Sequence, residues 1–363
     1  MPIRILHVVT NMCRGGLETM IMNYYRHVDR TQIQFDFLVH RDYESEYDAE
    51  ILAMGGRIHH LPRLNPFSSG YLGRLDAFFS EHPEYRIVHS HLDCMAGIPL
   101  KYAKKHGVPV RIGHAHNSNQ PRDLKYPLKL IYKHTIAQNA TALLACGEEA
   151  GQWMFGGAPF QVMNNAVDAD LFRYAPDVRS EVRREFGIEE GALVVGHVGR
   201  FMQQKNHAFL LQIFSRLPGD AKLLLVGDGE LRTEVQTQAR ELGIEDRVIL
   251  AGVRADVHRM MQAMDVFLLP SHHEGLPLTI VEAQCAGLPC LISDGVPIEC
   301  KKTDLVSQLP LAAGADAWAE ATLTAVRDPR TSPLQQIRAA GFDIVEKAGW
   351  LTDYYFIHYK KKV

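Results

Sequence analysis

Short apolar runs alternate along the chain with longer stretches in which apolar residues recur every three or four positions. Ile3–Val9, Phe35–Val39, Ile87–His89, Val108–Ile112 and Ala142–Ala145 read as buried strands; Leu17–His27 and Ala96–His106, lying among them, read as helices. Near-continuous apolar strands separated by helices predict an open parallel sheet covered on both faces. Between Asn164 and Gly191 no strand pattern is present; that stretch holds Asn164-Asn165, Pro176 and a charged run, Arg179–Glu185. The pattern restarts at Leu193–Val198 and continues through Lys222–Val226, Val248–Leu250, Val266–Leu269 and Pro289–Ile292. This predicts an α/β protein of two Rossmann-like, doubly wound domains, residues 1–165 and 166–344. Ligands of such sheets bind beyond the carboxyl ends of the strands. Two such domains facing each other predict a cleft suited to a small molecule.

Composition agrees with two cores. The chain has 363 residues, 46% hydrophobic and 22% charged, which excludes a disulfide scaffold and a disordered protein. A net charge of −3 argues against a nucleic-acid-binding polycation. No apolar run approaches the ~18–20 residues of a membrane span, and the opening MPIRILHVVTNMCRGG reads as a strand entering a loop rather than an export signal. The expected compartment is therefore the cytoplasm, with the six scattered cysteines reduced. Between Cys94 and Gly147 there are eight Lys/Arg against one acid, Asp123. Lys125, Lys129 and Lys133 would share one helix face. That face is either a solvated surface or a contact for anionic lipid headgroups or acceptor phosphates.

The densest chemical signal is DVFLLPSHHEGLPLTIVEAQCAGLPCLI, Asp265–Ile292. A strand ends at Pro270-Ser271, Gly275 permits close backbone approach, and Pro277 suits the first turn of a helix that Gly287 stops. The N–H groups around Gly275–Leu278 then form an anion site at a helix N-terminus. Glu274 and Glu282 flank it. Either alone would favour the helix dipole, but carboxylates only accept hydrogen bonds, so a pair of them suits hydroxyls, as of a ribose or a sugar. His89/His91, His114/His116 and His272-His273 recur as pairs, and an HxH on a strand puts both rings on one face. A metal site or a structural role is open for these pairs, though no further ligand set of metal-like spacing accompanies them.

Glu274 and Glu282 around GLP resemble the two-glutamate signature of retaining GT-B glycosyltransferases, chiefly family 4. GHVGRFMQQKN (Gly196–Asn206), LLLVGDGELR (Leu223–Arg232), LAGVRADVHRMMQAMDVFLLPS (Leu250–Ser271), TNMCRGGLETMIMN (Thr10–Asn23) and VMNNAVDADLF (Val162–Phe172) resemble further blocks of that family, in family order over nearly the whole chain. Each block is weak alone; the ordered set is specific, and the likeness is greatest to bacterial exopolysaccharide and capsule enzymes. The resemblance implies that Arg200 and Lys205 contact a donor diphosphate, Glu282 the nucleotide ribose and Glu274 the transferred sugar. It implies that Gly275 and Leu276 meet sugar or phosphate and that Gly252–Arg254 lies by the nucleobase. His116 is implied to face the donor sugar, His272 borders the donor loop, and Gly16 lies in the N-terminal glycine loop. It also implies a final helix, about 345–363, crossing back onto the first domain.

The expected activity is transfer of a sugar, most simply from a UDP donor, to a glycan or lipid-linked acceptor, without metal or other cofactor. Asp168-Ala169-Asp170 spells a metal-binding Asp-x-Asp but falls at the domain junction, where it is read as chance. A nucleotide-sugar epimerase or hydrolase, and a non-catalytic nucleotide-sugar-binding subunit, stay open on the same architecture. Ser293–Leu311 departs from the family: it keeps Glu299 and lacks the usual glycine pattern. Lys360–Lys362 end the chain as a second basic patch.

Overall fold

A computed structural model describes residues 2–117, 126–326 and 329–360. The first apolar series forms β1 (Ile3–Val9), β2 (Ile33–Val39), β3 (Ile58–His60), β4 (Ile87–Ser90), β5 (Val110–Ala115), β6 (Ala142–Ala145) and β7 (Gln161–Val162). They pair in parallel in the order β3-β2-β1-β4-β5-β6-β7. The second series forms β8 (Val194–Val198), β9 (Lys222–Val226), β10 (Val248–Gly252), β11 (Val266–Leu269), β12 (Cys290–Ile292) and β13 (Val306–Gln308). Their order, β10-β9-β8-β11-β12-β13, repeats the same reversal. Because the crossovers leave in opposite directions at β1/β4 and at β8/β11, each sheet opens a crevice at the carboxyl ends of those strands.

The chain divides into two units, residues 1–166 with 344–363, and residues 167–343. In the first, β2 is buried along its whole length and the helices Gly16–His27 and Ile344–Lys360 pack together. The Gly16–His27 helix carries Glu18 in its first turn and Arg26 and His27 in its last, as the helix dipole favours. In the second unit, the Pro176–Glu185 helix starts at a proline, which gives up no intrahelical hydrogen bond there. Its Arg179 and the wholly buried Arg183 both reach Asp265, at 2.7 and 2.8 Å. Asp265 also accepts from the Val194 N–H at 2.7 Å, so one carboxylate ties this helix to the starts of β8 and β11.

Three strands escape the sequence pattern: β3, β7 and β13 have three, two and three residues and lie at or beside sheet edges, where burial imposes little periodicity. β5 starts at Val110, not Val108, because Pro109 lacks the N–H a ladder needs; it continues through Gly113 and His114, whose types conceal a buried strand. Pro277 sits outside the Leu278–Cys285 helix as its extended N-cap, not within the first turn. Gly287, at φ +70°, ends that turn, and a Cβ there would lie 2.3 Å from the Thr331 carbonyl oxygen. All six cysteines are free.

Candidate active site

In the second unit the crevice between β8 and β11 collects two loops. After β8, a turn at Gln203–Lys205 leads through Asn206, in the left-handed region at φ 55°, into the His207–Phe214 helix. Asn206 Nδ2 donates to the Pro270 carbonyl at 3.1 Å and fastens this turn to the end of β11. After β11, the His272 N–H donates to the Gln204 carbonyl at 2.8 Å, and the Glu274 N–H to the Gly295 carbonyl at 3.0 Å. Gly295 is required there, since a Cβ would stand 2.1 Å from the His272 carbonyl oxygen. The departure of Ser293–Leu311 from the family pattern thus retains the one glycine that supports the Glu274 loop.

These loops bring Lys205 and Glu274 together. Lys205 Nζ donates to Glu274 Oε1 at 2.7 Å, and Gln204 Nε2 donates to the other carboxylate oxygen at 3.2 Å and to the His273 carbonyl at 2.9 Å. The pair is largely shielded, with side-chain exposures of 15% and 8%. Beside it Gly275 is exposed and Leu276 half-buried, ahead of the N-terminus of the Leu278–Cys285 helix. Glu282 lies inside that helix and is buried; loss of water pushes its carboxyl up to about 7.

Three further buried polar groups surround the β8/β11 crevice without a hydrogen-bond partner for the atoms named: His197 Nε2, both ring nitrogens of His207, and the Ser271 hydroxyl. Burial, with repulsion by Lys205, holds His207 down at about 4 and His197 well below the ordinary histidine range. Unsatisfied polar atoms of this kind cost about 1–3 kcal/mol each and mark a place where a stability optimum has been given up. In the sequence each of the three is a single polar residue in or beside an apolar run, and only the strand order brings them together.

The other expected donor residues are less convergent. Arg200 is exposed and pairs with Glu230 at 3.3 Å. Arg254 is held by Asp256 at 2.8 Å and by Glu185 at 3.2 Å, so its guanidinium is engaged within the unit. His272 and Glu299 are exposed. Asp170 of the Asp-x-Asp spelling forms ion pairs with Arg173 and Arg338.

In the first unit, His116 directly follows β5 and belongs to a cluster of five histidines from β1, β4 and β5. His7 Nδ1 lies 3.0 Å from His91 Nε2, and His91 Nδ1 lies 2.9 Å from His116 Nε2. His89 Nε2 lies 3.1 Å from His114 Nδ1, and His89 Nδ1 lies 2.8 Å from the Tyr355 hydroxyl. Burial drives His7 and His116 down to about 3 and the other three well below their usual range, so all five rings are neutral at pH 7. His7 is absent from the sequence reading; its position opposite His89 in the β1/β4 register was the signal. Gly16 opens the Gly16–His27 helix with free space around it.

The lysine face is altered by the structure. Lys133 is turned inward: its Nζ donates to the Trp153 carbonyl at 2.5 Å and lies 4.4 Å from the indole centroid. Lys129 is half-buried on the Tyr126–Asn139 helix, and Lys125, Lys361 and Lys362 lie outside the described residues. No helix among the described residues is long and apolar enough to cross a membrane.

Comparison with known proteins supplies the family. The family profile described as Glycosyl transferases group 1 matches residues 178–339, and the Glycosyl transferase 4-like domain profile matches residues 15–157. Over 379 aligned positions the chain is 36% identical to the Bacillus subtilis (strain 168) protein named as glycosyltransferase EpsF, covering 99% of this chain and 97% of that one. It is 29% identical over 225 residues to the Escherichia coli UDP-Gal:alpha-D-GlcNAc-diphosphoundecaprenol alpha-1,3-galactosyltransferase, 58% of each chain. The crystal structure of Anabaena Alr3699/HepE in complex with UDP shares its fold at a TM-score of 0.81 and 18% identity, over 97% of this chain and 99% of that one. With the twin parallel sheets described above, these findings place the chain in the group 1, family 4-like glycosyltransferases of the GT-B fold.

Proposed function

We propose that the protein is a retaining hexosyltransferase that moves a sugar from a UDP donor to a hydroxyl of a glycan or lipid-linked acceptor in exopolysaccharide or capsule synthesis. The observation that carries this is the Lys205–Glu274 pair at the β8/β11 crevice, beside an exposed glycine turn and the buried carboxyl of Glu282. Support for a UDP donor comes from the HepE complex and the galactosyltransferase relative; support for a polymer product comes from the likeness to EpsF. In this reading residues 167–343 hold the donor, and residues 1–166 with 344–363 serve the acceptor and carry His116, to which the family resemblance gives a role at the donor sugar.

The chemistry follows from charge. As the glycosidic bond breaks, negative charge grows on the departing diphosphate. Lys205 and the N–H groups at the start of the Leu278–Cys285 helix are preorganised to meet it, and Arg200 would turn to it from its exposed pairing with Glu230, together doing the work a metal does in other transferases. Glu282 accepts from the ribose hydroxyls, and Glu274 from a sugar hydroxyl while it orients Lys205. The acceptor oxygen attacks the face the diphosphate leaves, its proton passes to the leaving phosphate oxygen, and the configuration is retained.

The test is to incubate the protein with UDP-glucose, UDP-galactose and UDP-N-acetylglucosamine, with and without an undecaprenyl-diphosphate-linked saccharide, in chelator throughout. Acceptor-dependent UDP release with an α-linked product supports the proposal. Release without acceptor means a hydrolase, an altered sugar without release an epimerase, and binding without turnover a subunit. An acceptor on a lipid would bring the protein to the anionic inner membrane face. Flotation with anionic vesicles that salt abolishes is the expected result; no flotation at low salt removes that part.

A further inference from the structure

We infer that His91, backed by His7, is a positioning residue: it leaves only Nδ1 of His116 for a ligand and sets whether that nitrogen donates or accepts. This rests on the proposed role of His116 at the donor sugar.

The protons in this chain of rings can be counted. A neutral imidazole has one N–H and one bare nitrogen. His7, His91 and His116 form one chain through two nitrogen–nitrogen contacts of 3.0 and 2.9 Å, and each contact needs one proton between its atoms. Three neutral rings bring three protons, and two are used in the contacts. The third sits at one end of the chain. If His91 carries its proton on Nδ1, it donates to His116 Nε2, and His116 must carry its own on Nδ1. If His91 carries it on Nε2, it donates to His7 Nδ1, His116 donates through Nε2, and its Nδ1 is bare. Mixed states leave one contact with two protons or none, which two nitrogens facing each other at hydrogen-bond length do not tolerate. The donor or acceptor character of His116 is thus decided two rings away.

The ends of the chain fit this reading. Among the described residues, His116 Nδ1 and His7 Nε2 are buried and have no hydrogen-bond partner. His7 packs among Phe35, Phe37, His89 and His91, with ring centroids at 4.2, 5.7, 5.2 and 5.3 Å, and its Nε2 makes no hydrogen bond among the described residues. The second pair, His89 and His114, closes through the Tyr355 hydroxyl and shares no nitrogen contact with the first chain. The same five rings form two three-histidine groups whose nitrogens lie within 4.8 Å of one another, without a carboxylate in either. His91 belongs to both groups and both of its nitrogens are already matched at hydrogen-bond length, so a metal in either group would break one of those contacts.

The experiment exploits the shapes of two amides. The asparagine amide occupies the place of histidine Nδ1, and that of glutamine the place of Nε2. His91→Asn keeps a partner for His116; His91→Gln keeps a partner for His7 only; His91→Phe keeps neither. Expected is a fall in kcat for UDP release of at least about 10-fold in His91→Phe and His91→Gln, with KM for the UDP-sugar nearly unchanged, and substantial rescue in His91→Asn. Independently of activity, 15N spectra of histidine-labelled protein should give His116 a single tautomer in the native chain and in His91→Asn, and a mixture in His91→Phe. Equal kcat for the Asn and Gln variants, or an unchanged His116 tautomer in His91→Phe, overturns the inference. Stoichiometric zinc on the purified protein, lost in His91→Phe, overturns it too, by making these nitrogens ligands. If His116→Ala turns over normally while the tautomers behave as stated, the role of His116 fails and the positioning role falls with it.

Discussion

Lys205 and Glu274 hold each other at 2.7 Å with little water around them, so each is both a partner and a support for the other. Lys205→Ala or Glu274→Ala should cut turnover by at least about 100-fold with the fold intact, the effect of losing one preorganised electrostatic contact; initial rates of UDP release, with circular dichroism for the fold, check this. Wild-type rates in both variants would remove the pair from the mechanism. Glu282 adds a pH dependence. Its carboxyl ionises only near pH 7, and hydroxyl donors of a bound nucleotide favour the ionised form, so UDP should bind more weakly as pH falls from 8 to 6. Calorimetric titration should show the trend in the native chain and a flat profile in Glu282→Gln. Glu274 and Glu282 stand out in the sequence because a local string, GLP flanked by two glutamates, carries them, and Lys205 because it lies in the block Gly196–Asn206. His7 and His207 do not, since a lone histidine in an apolar run acquires partners only through strand register.

The strands and helices show where pattern suffices. β1, β6, β9 and β11 were readable to the residue, since each is a largely apolar run with a polar or turn-forming residue next to it. The short edge strands β3, β7 and β13 were not, because a strand of two or three residues leaves no periodicity. The charged run Arg179–Glu185 offered no hint that it belongs to a helix whose Arg183 is wholly buried. Arg183 satisfies itself on Asp265 and on the carbonyls of Ala263, Glu189, Glu190 and Ala192. Arg183→Ala leaves Asp265 short of a partner and should destabilise the second unit by about 3–5 kcal/mol. Urea unfolding followed by tryptophan fluorescence reads it; a loss under about 1 kcal/mol would mean that Arg179 alone suffices to pair Asp265.

For the complete chain, the buried histidines set the response to acid. Each has a folded pKa far below its unfolded value of about 6.5, so the unfolded chain binds more protons below that pH. Their contribution is fully present above pH 6.5 and is lost as pH falls toward 3, at up to about 1.4 kcal/mol per pH unit for each ring. Glu18 and Glu282, both raised to about 7 by burial, act in the opposite sense between about pH 4.5 and 7, but the histidines outnumber them. The urea midpoint should therefore fall between pH 7.5 and 5.5, with less of a fall in His91→Phe; a flat or rising midpoint contradicts this account.

The Tyr355 hydroxyl that closes on His89 belongs to a segment synthesised after all of the second unit. On the ribosome, residues 167–343 are contiguous and free to fold as they emerge, whereas the first-made sheet must wait, its histidines wet, for the Ile344–Lys360 helix to arrive. A nascent chain halted before Ile344 should therefore expose the early half to protease while the later half resists, an order of maturation opposite to the order of translation.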